Sequence, residues 1–190
     1  MSSNLPQILQ KGARAGGDVV AGNKDTNNTY IVTTSAGPVE RMMDRLSIEM
    51  RDSLQVQELI SSLQFFYIQK SIDGIVGLEA KLNKAGRGND LLYAYEKKEL
   101  FVKLLDRYSL YASAQRIFAH LLAKTEHEFS QVIHPKITYL EESDINALVS
   151  ARIIDPIVLE CGIGSIDINH SVVMGMIYWL AEQCFIRWHQ

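Results

Sequence analysis

Residues 17–26 read GDVVAGNKDT, which sets Gly17, Gly22, Lys24 and Thr26 in a short run of the residue types that cradle phosphate. In a G-x-x-x-x-G-K-[ST] loop the Lys directly follows the second Gly, so the backbone wraps the phosphates while the ammonium reaches them. Here Asn23 stands between Gly22 and Lys24. Such a loop must also open a helix whose N-terminus holds the anion. Asn27-Asn28-Thr29-Tyr30-Ile31-Val32 is instead a poor helix start and reads as strand. A guanine-reading N-K-x-D loop fails too, because Asn23-Lys24-Asp25 lacks the spacer. The segment therefore reads as a Gly-Asn turn between two short strands.

The remaining candidates for chemistry are as poorly spaced. His120, His127 and His134 recur every seven residues, which on a helix separates neighbours by roughly 10.5 Å. Zinc ligands on a helix sit three or four residues apart, and no His-x-x-x-His pair occurs. Cys184 and His189, five apart on a helix, would point about 140° away from each other. Cys161 has no His near it in the sequence. Glu141-Glu142-Ser143-Asp144 reads as acidic residues favoured at a helix start, not as a metal cluster. No G-x-S-x-G, H-E-x-x-H or H-R-D run is present. No catalytic residue, cofactor or metal is expected, and a helical body without a catalytic set scaffolds or recognises more often than it catalyses.

The elements that would position these residues divide near Pro38. Residues 1–37 form a Gly/Asn-rich arm in which only Val19-Val20 and Tyr30-Ile31-Val32 look like strand material. That is too little apolar surface for a core of its own. Residues 38–190 read as one all-α domain of five to seven helices, preceded by this short β-hairpin arm. Val56, Leu59, Ile60, Leu63, Phe66 and Tyr67 follow helical spacing, and Ile68, Ile72, Ile75, Leu78 and Leu82 extend the stripe past Gly74 and Gly77. Asp90 is placed to cap a helix buried through Tyr93, Leu100, Phe101, Leu104 and Leu105. Ser109 or Ser113 caps the next, which Pro135 stops. Ser143 opens a short helix that ends at Asp155-Pro156, and a last helix runs from about Ser171 to Trp188.

At 190 residues, with 47% hydrophobic and 22% charged residues, the chain can bury a core without metal or disulfide staples. Two cysteines without a framework, no apolar leader and no uncharged 18-residue span point to a cytoplasmic protein with no membrane partner. The net charge of −3 hides a gradient: residues 1–80 carry −2, residues 81–116 carry +4, and residues 117–190 carry −5. The basic stretch suits phosphate or an acidic partner, or is a solvated helix face, since Glu96-Lys97-Lys98-Glu99 mixes both signs.

Several segments carry a family likeness through their order: Gly77-Leu78-Glu79-Ala80-Lys81-Leu82, Gly86-Arg87, Lys98-Glu99, Ser113-Ala114-Gln115, Asp155-Pro156-Ile157, and Gly175-Met176-Ile177-Tyr178-Trp179-Leu180 followed by Cys184 to Trp188. Together they resemble the helical C-terminal domain of bacterial ABC-three-component conflict systems, the group that includes Lamassu-type anti-phage defence. The likeness spans about residues 54–188. It implies an adaptor or regulatory subunit without an active site in this domain, partnered by an SMC-like ABC ATPase, an effector subunit, or both. Residues 1–53 are too short and too poor in catalytic residues to be that effector, and Phe185 stands where many relatives carry His.

Two kinds of contact surface are expected. One is the basic loop Lys81, Lys84 and Arg87 together with the terminal Arg187-Trp188, since Arg and Trp anchor interfaces; alternatively Trp188 closes the core and Arg187 is solvated. The other is the arm, where Asp18, Val19, Val20, Tyr30, Ile31 and Val32 would pair with copies of themselves in a homo-oligomer. A nucleic-acid-sensing module using residues 81–116 is the rival reading, not favoured. An enzyme whose site assembles from distant residues is a third.

Overall fold

Pro38 sets the phase of the first helix. The computed structural model describes residues 36–69 and 73–189, and α1 spans Pro38–Arg51 with Pro at its start, where a missing N–H costs nothing. The Gly37 N–H donates to Glu40 Oε2 at 3.1 Å, which closes the first turn. Val39, Met43 and Leu46 face inward at helical spacing. The helix ends in a Schellman turn: Ser53 takes φ 53°, its N–H meets the Met50 carbonyl, and Leu54 N–H meets the Glu49 carbonyl at 2.8 Å.

The stripe expected from Val56 to Leu82 is not one long helix. Gly74 and Gly77 take φ of 76° and 85°, which an α-helix does not tolerate, so the chain turns there. Ile72 lies outside the described residues. What remains is a single turn, α2 (Ser61–Gln64), a 3-10 turn Phe65–Tyr67, and α3 (Leu78–Lys84). The non-helical strip before α2 is held by side-chain hydrogen bonds. Gln115 accepts from Ile60 N–H at 2.6 Å and donates to the Glu58 and Ser109 carbonyls at 3.1 and 2.6 Å.

Two long helices follow, α4 (Leu91–Tyr108) and α5 (Ala112–Glu128). Ala94, Phe101 and Leu105 carry the buried side of α4, whereas Tyr93 and Leu100 remain 47% and 45% exposed, contrary to the expected stripe. Neither Ser109 nor Ser113 caps α5 with its own side chain. Its N-terminus is capped from another helix: Glu49 of α1 accepts from the Ser113 N–H at 3.0 Å and from its hydroxyl at 2.8 Å. A carboxylate there also suits the helix dipole.

After α5, a wider turn over Phe129–Ile133 and a 3-10 turn at His134–Lys136 lead to α6 (Glu142–Val149). Asp155-Pro156 does not break the chain. A π turn at Ser150–Ile154 runs straight into α7 (Asp155–Cys161), with Pro156 in its first turn where no donor is needed.

The last helix, α8 (His170–Glu182), is the centre of the fold. Asn169 caps it by accepting from Ser171 and Val172 N–H at 3.1 and 3.2 Å. Its buried residues run from Val172 to Ala181 with only Met174 less than fully covered, which marks a helix surrounded on all sides. α4 crosses it at Gly175, where an added Cβ would lie 2.2 Å from the Lys97 carbonyl oxygen. The helix ends at Glu182 rather than Trp188, because Cys184 takes φ 66°. Cys184 N–H meets the Ala181 carbonyl and Phe185 N–H meets that of Leu180, a second Schellman turn with Cys in the usual glycine position.

The described residues therefore hold seven α-helices of at least seven residues, the single turn α2, and no strand. The expected β-hairpin arm lies outside the described residues. No described helix is long and apolar enough to cross a membrane.

Candidate functional site

Arg87 owes its position to the end of α3. Gly86 takes φ 74°, Gly86 N–H meets the Asn83 carbonyl and Arg87 N–H meets that of Leu82 at 2.8 Å, a third Schellman turn that sends Arg87 inward. Its Nε donates to Asp90 Oδ2 and its Nη2 to Asn146 Oδ1, each at 2.9 Å. Glu142 Oε1 lies 3.4 Å from the same Nη2. The guanidinium covers the Trp188 ring, 4.5 Å from its centroid. Asp90 thus serves Arg87 and makes no side-chain cap on α4. Glu142, expected to favour a helix start, also reaches Arg87.

Beside Arg87 opens a cleft of about 410 Å3 bordered by Asn146, Ser150, Ile154, Met174 and Tyr178 among others. It lies where α6 and its π turn face α8. Tyr178 and Phe129 hold Trp188 from the inside, with ring centroids 6.1 and 4.9 Å away.

The segment after α8 is fastened at successive residues. Phe185 packs against Phe65 and Phe66 at 5.2 and 5.0 Å. Lys81 Nζ donates to the Ile186 carbonyl at 3.0 Å and to the Ala181 carbonyl at 2.8 Å, the latter already accepting from the Cys184 N–H, so the ammonium ties the end of α8 to the segment beyond it. Burial lowers the Lys81 pKa, and the Cys184 side chain opposes that shift. Asp73 Oδ2 sits 3.0 Å from His189 Nε2 and 3.5 Å from Arg187 Nη1. A hydrogen bond from the Ile75 backbone N–H, then those from His189 and Arg187, hold the Asp73 carboxyl down at about 2. His134 Nε2 meets the His189 carbonyl at 3.1 Å.

The structure separates the five expected contact residues. Lys81, Arg87 and Trp188 are buried, so they bind the fold and offer no side chain to a partner in this conformation. Lys84 is exposed and Arg187 partly so. Asp18, Val19, Val20, Tyr30, Ile31 and Val32 lie outside the described residues. Within the basic stretch, Lys97 donates to Ser171 Oγ, Lys98 faces Glu182 at 3.6 Å, Lys103 faces Glu99 at 3.4 Å, and Arg107 lies over Tyr108. Most of its charge is thus engaged within the chain.

The histidines and cysteines are also dispersed. His120 and Lys124 both bind Glu160; burial raises its pKa, but these two partners outweigh that and hold it low. Burial pushes the Cys161 thiol up to about 11, which keeps it protonated at neutral pH. Cys184 and His189 no longer share a helix. Among the described residues, no group of three or more His, Cys, Asp or Glu is placed to hold a metal ion.

Sequence reasoning missed Glu49, Asp73, Asn146 and Tyr178 as positioning or cleft residues. Their partners stand 59 or more positions away, or are cavity walls, and no local spacing signals them. Gly86-Arg87 did carry a usable signal, since a Gly just past a helix predicts a turn that redirects the next side chain.

A family model describing C-terminal domain 9 of the ABC-three component (ABC-3C) systems matches residues 77–188, more than half of the chain. No curated protein and no solved structure matches it. The matched span begins at Gly77 and contains Arg87, the cleft and Trp188.

Proposed function

The chain belongs to the C-terminal domain 9 family of the ABC-three component systems, and from that premise we propose that it is a non-enzymatic adaptor or regulatory subunit of a bacterial anti-phage defence complex. The family match over residues 77–188 is the observation that carries the reading. Its partners are an SMC-like ABC ATPase, an effector subunit, or both, met in the cytoplasm by protein–protein contact. The order of motifs from Gly77 to Trp188 extends the reading to Lamassu-type assemblies.

The disposition of the charged side chains supports a recognition role over catalysis. Glu49, Lys81, Arg87, Asp73 and Glu160 each hold a helix end, a loop or a neighbouring helix. The arm, residues 1–37, adds homo-oligomerisation through Asp18-Val19-Val20 and Tyr30-Ile31-Val32. That part rests on its sequence, which offers two strand-forming runs without a core of their own.

Tagged purification from the native host tests the reading. An ABC ATPase or an effector chain should co-elute, and recovery of the chain alone would overturn it. Deleting residues 1–37 should lower the oligomeric mass; an unchanged mass removes the arm from the proposal.

A further inference from the structure

Tyr178 is 1% exposed, yet its hydroxyl has no hydrogen-bond partner among the described residues. Nor is that oxygen among the sealed, unpaired buried atoms, and the residue borders the cleft beside Arg87. Burial raises the phenol's pKa, which keeps it a donor at any physiological pH. Asn146 accepts Arg87 at Oδ1, which leaves its Nδ2 donors for the same cavity. Arg87 adds an Nη1 that is buried without an acceptor, on a guanidinium bordering the cleft. Nη1 itself is covered, so first contact falls to Tyr178 and Asn146.

The cleft thus offers donors from Tyr178 and Asn146 beside Asp90, Ser150 and Ser171, which can accept. Its charge is not free, however. Asp90 and Glu142 already face Arg87 at 2.9 and 3.4 Å, so a ligand carboxylate would meet two carboxylates against one guanidinium. His170 on the rim is drawn toward Asp155 at 3.4 Å. An uncharged acceptor escapes that repulsion. Val149, Ile154 and Met174 supply an apolar wall for the body that carries it. At about 410 Å3 the space falls within the usual range for ligand sites, roughly 300–1,000 Å3.

We propose that this cleft binds an uncharged carbonyl, a backbone or side-chain amide, presented by a peptide segment of a partner subunit whose apolar side chain packs on Ile154 and Met174. The partner's being a subunit rests on the adaptor reading; the carbonyl chemistry does not. Tyr178 and Asn146 donate to the carbonyl oxygen, and Arg87 fixes the Asn146 amide in the donating orientation.

The test has two arms on the full chain. In the first, N-acetyl-leucinamide and N-acetyl-leucine are titrated while amide resonances are followed by NMR. The amide should shift the Asn146 side-chain resonance saturably and bind tighter than the carboxylate. Tyr178→Phe, which removes no hydrogen bond of the fold, should weaken it by about threefold to tenfold. Absence of a saturable shift, tighter binding of the carboxylate, or an unchanged affinity in both Tyr178→Phe and Asn146→Ala overturns the carbonyl site. In the second arm, tagged Ser150→Arg, at an exposed rim position, is purified from the native host beside the wild type. Loss of the partner supports the peptide assignment. Undiminished recovery overturns it while leaving the adaptor reading intact. If the wild type recovers no partner, the adaptor reading and the peptide fall together, and the titration decides the cleft's chemistry alone.

Discussion

The guanidinium carbon of Arg87 lies 4.5 Å from the centre of the Trp188 ring, so the turn that ends α3 covers a side chain from beyond α8. Replacing Trp188 by Ala should cost about 3–5 kcal/mol, since the ring is 2% exposed and packs on Phe129 and Tyr178. Arg87→Met should cost about 1–3 kcal/mol by stranding Asp90 and Asn146. The two share one contact, so a double-mutant cycle in urea should return a coupling of about 0.5–2 kcal/mol. Strict additivity would mean that the stacking contributes nothing.

Gly175 sets the distance between α4 and α8. A Cβ there would meet the Lys97 carbonyl oxygen at 2.2 Å and Phe101 Cβ at 2.9 Å, and the nearer atom is backbone, which yields only if the helices separate. Gly175→Ala, usually favourable in a helix, should instead destabilise by about 3 kcal/mol or more. Thermal melting checks this, and an unchanged or raised Tm would contradict the close crossing.

Cys184 occupies a left-handed position, φ 66°, that side chains adopt at a cost. Cys184→Gly removes that strain and loses a small buried thiol, so its stability should stay within about 1 kcal/mol of wild type. Cys184→Val, branched at Cβ, should cost about 2 kcal/mol or more at the same site. Equal melting temperatures for the two variants would contradict the Schellman geometry.

Asp73 makes the C-terminal segment sensitive to acid. Its carboxyl is held at about 2, below the ordinary value of 3.8. A depressed carboxyl contributes stability that is complete above the ordinary value and disappears as pH falls toward the folded one. Urea midpoints of the wild type should therefore drop between pH 4 and 2, in the window set by those two values. Asp73→Asn should be less stable at pH 7 and should lack this component of the drop. Parallel pH profiles would rule out Asp73 as the clasp on Arg187 and His189.

How much of the fold was legible varies with the range of the forces involved. The helix stopped by Pro135 and the last helix from about Ser171 were legible as α5 and α8, because each lies within one periodic run, although both were read as longer than the helices that end at Glu128 and Glu182. The segment from Val56 to Leu82 has comparable spacing but is cut by Gly74 and Gly77, whose positive φ no hydrophobic count reveals. Asp155-Pro156 misled in the opposite direction: a π turn admits the proline without ending the helical path.

The sequence by itself determined the helical class of the described residues and the runs that became α5 and α8, whereas the caps expected from Asp90, Ser109 and Ser113 did not form. The class and the runs follow from local rules, the 3.6-residue period and the φ limits of single residues. Only the tertiary structure decided that Lys81 and Arg87, which read as surface cations, lie inside and hold the chain beyond α8. It also placed Glu49 on the start of α5, 64 positions away, and set Tyr178 on the wall of a cleft. A charge is buried only when distant groups converge to satisfy it, and that convergence is a property of the packed helices and of no single stretch of sequence.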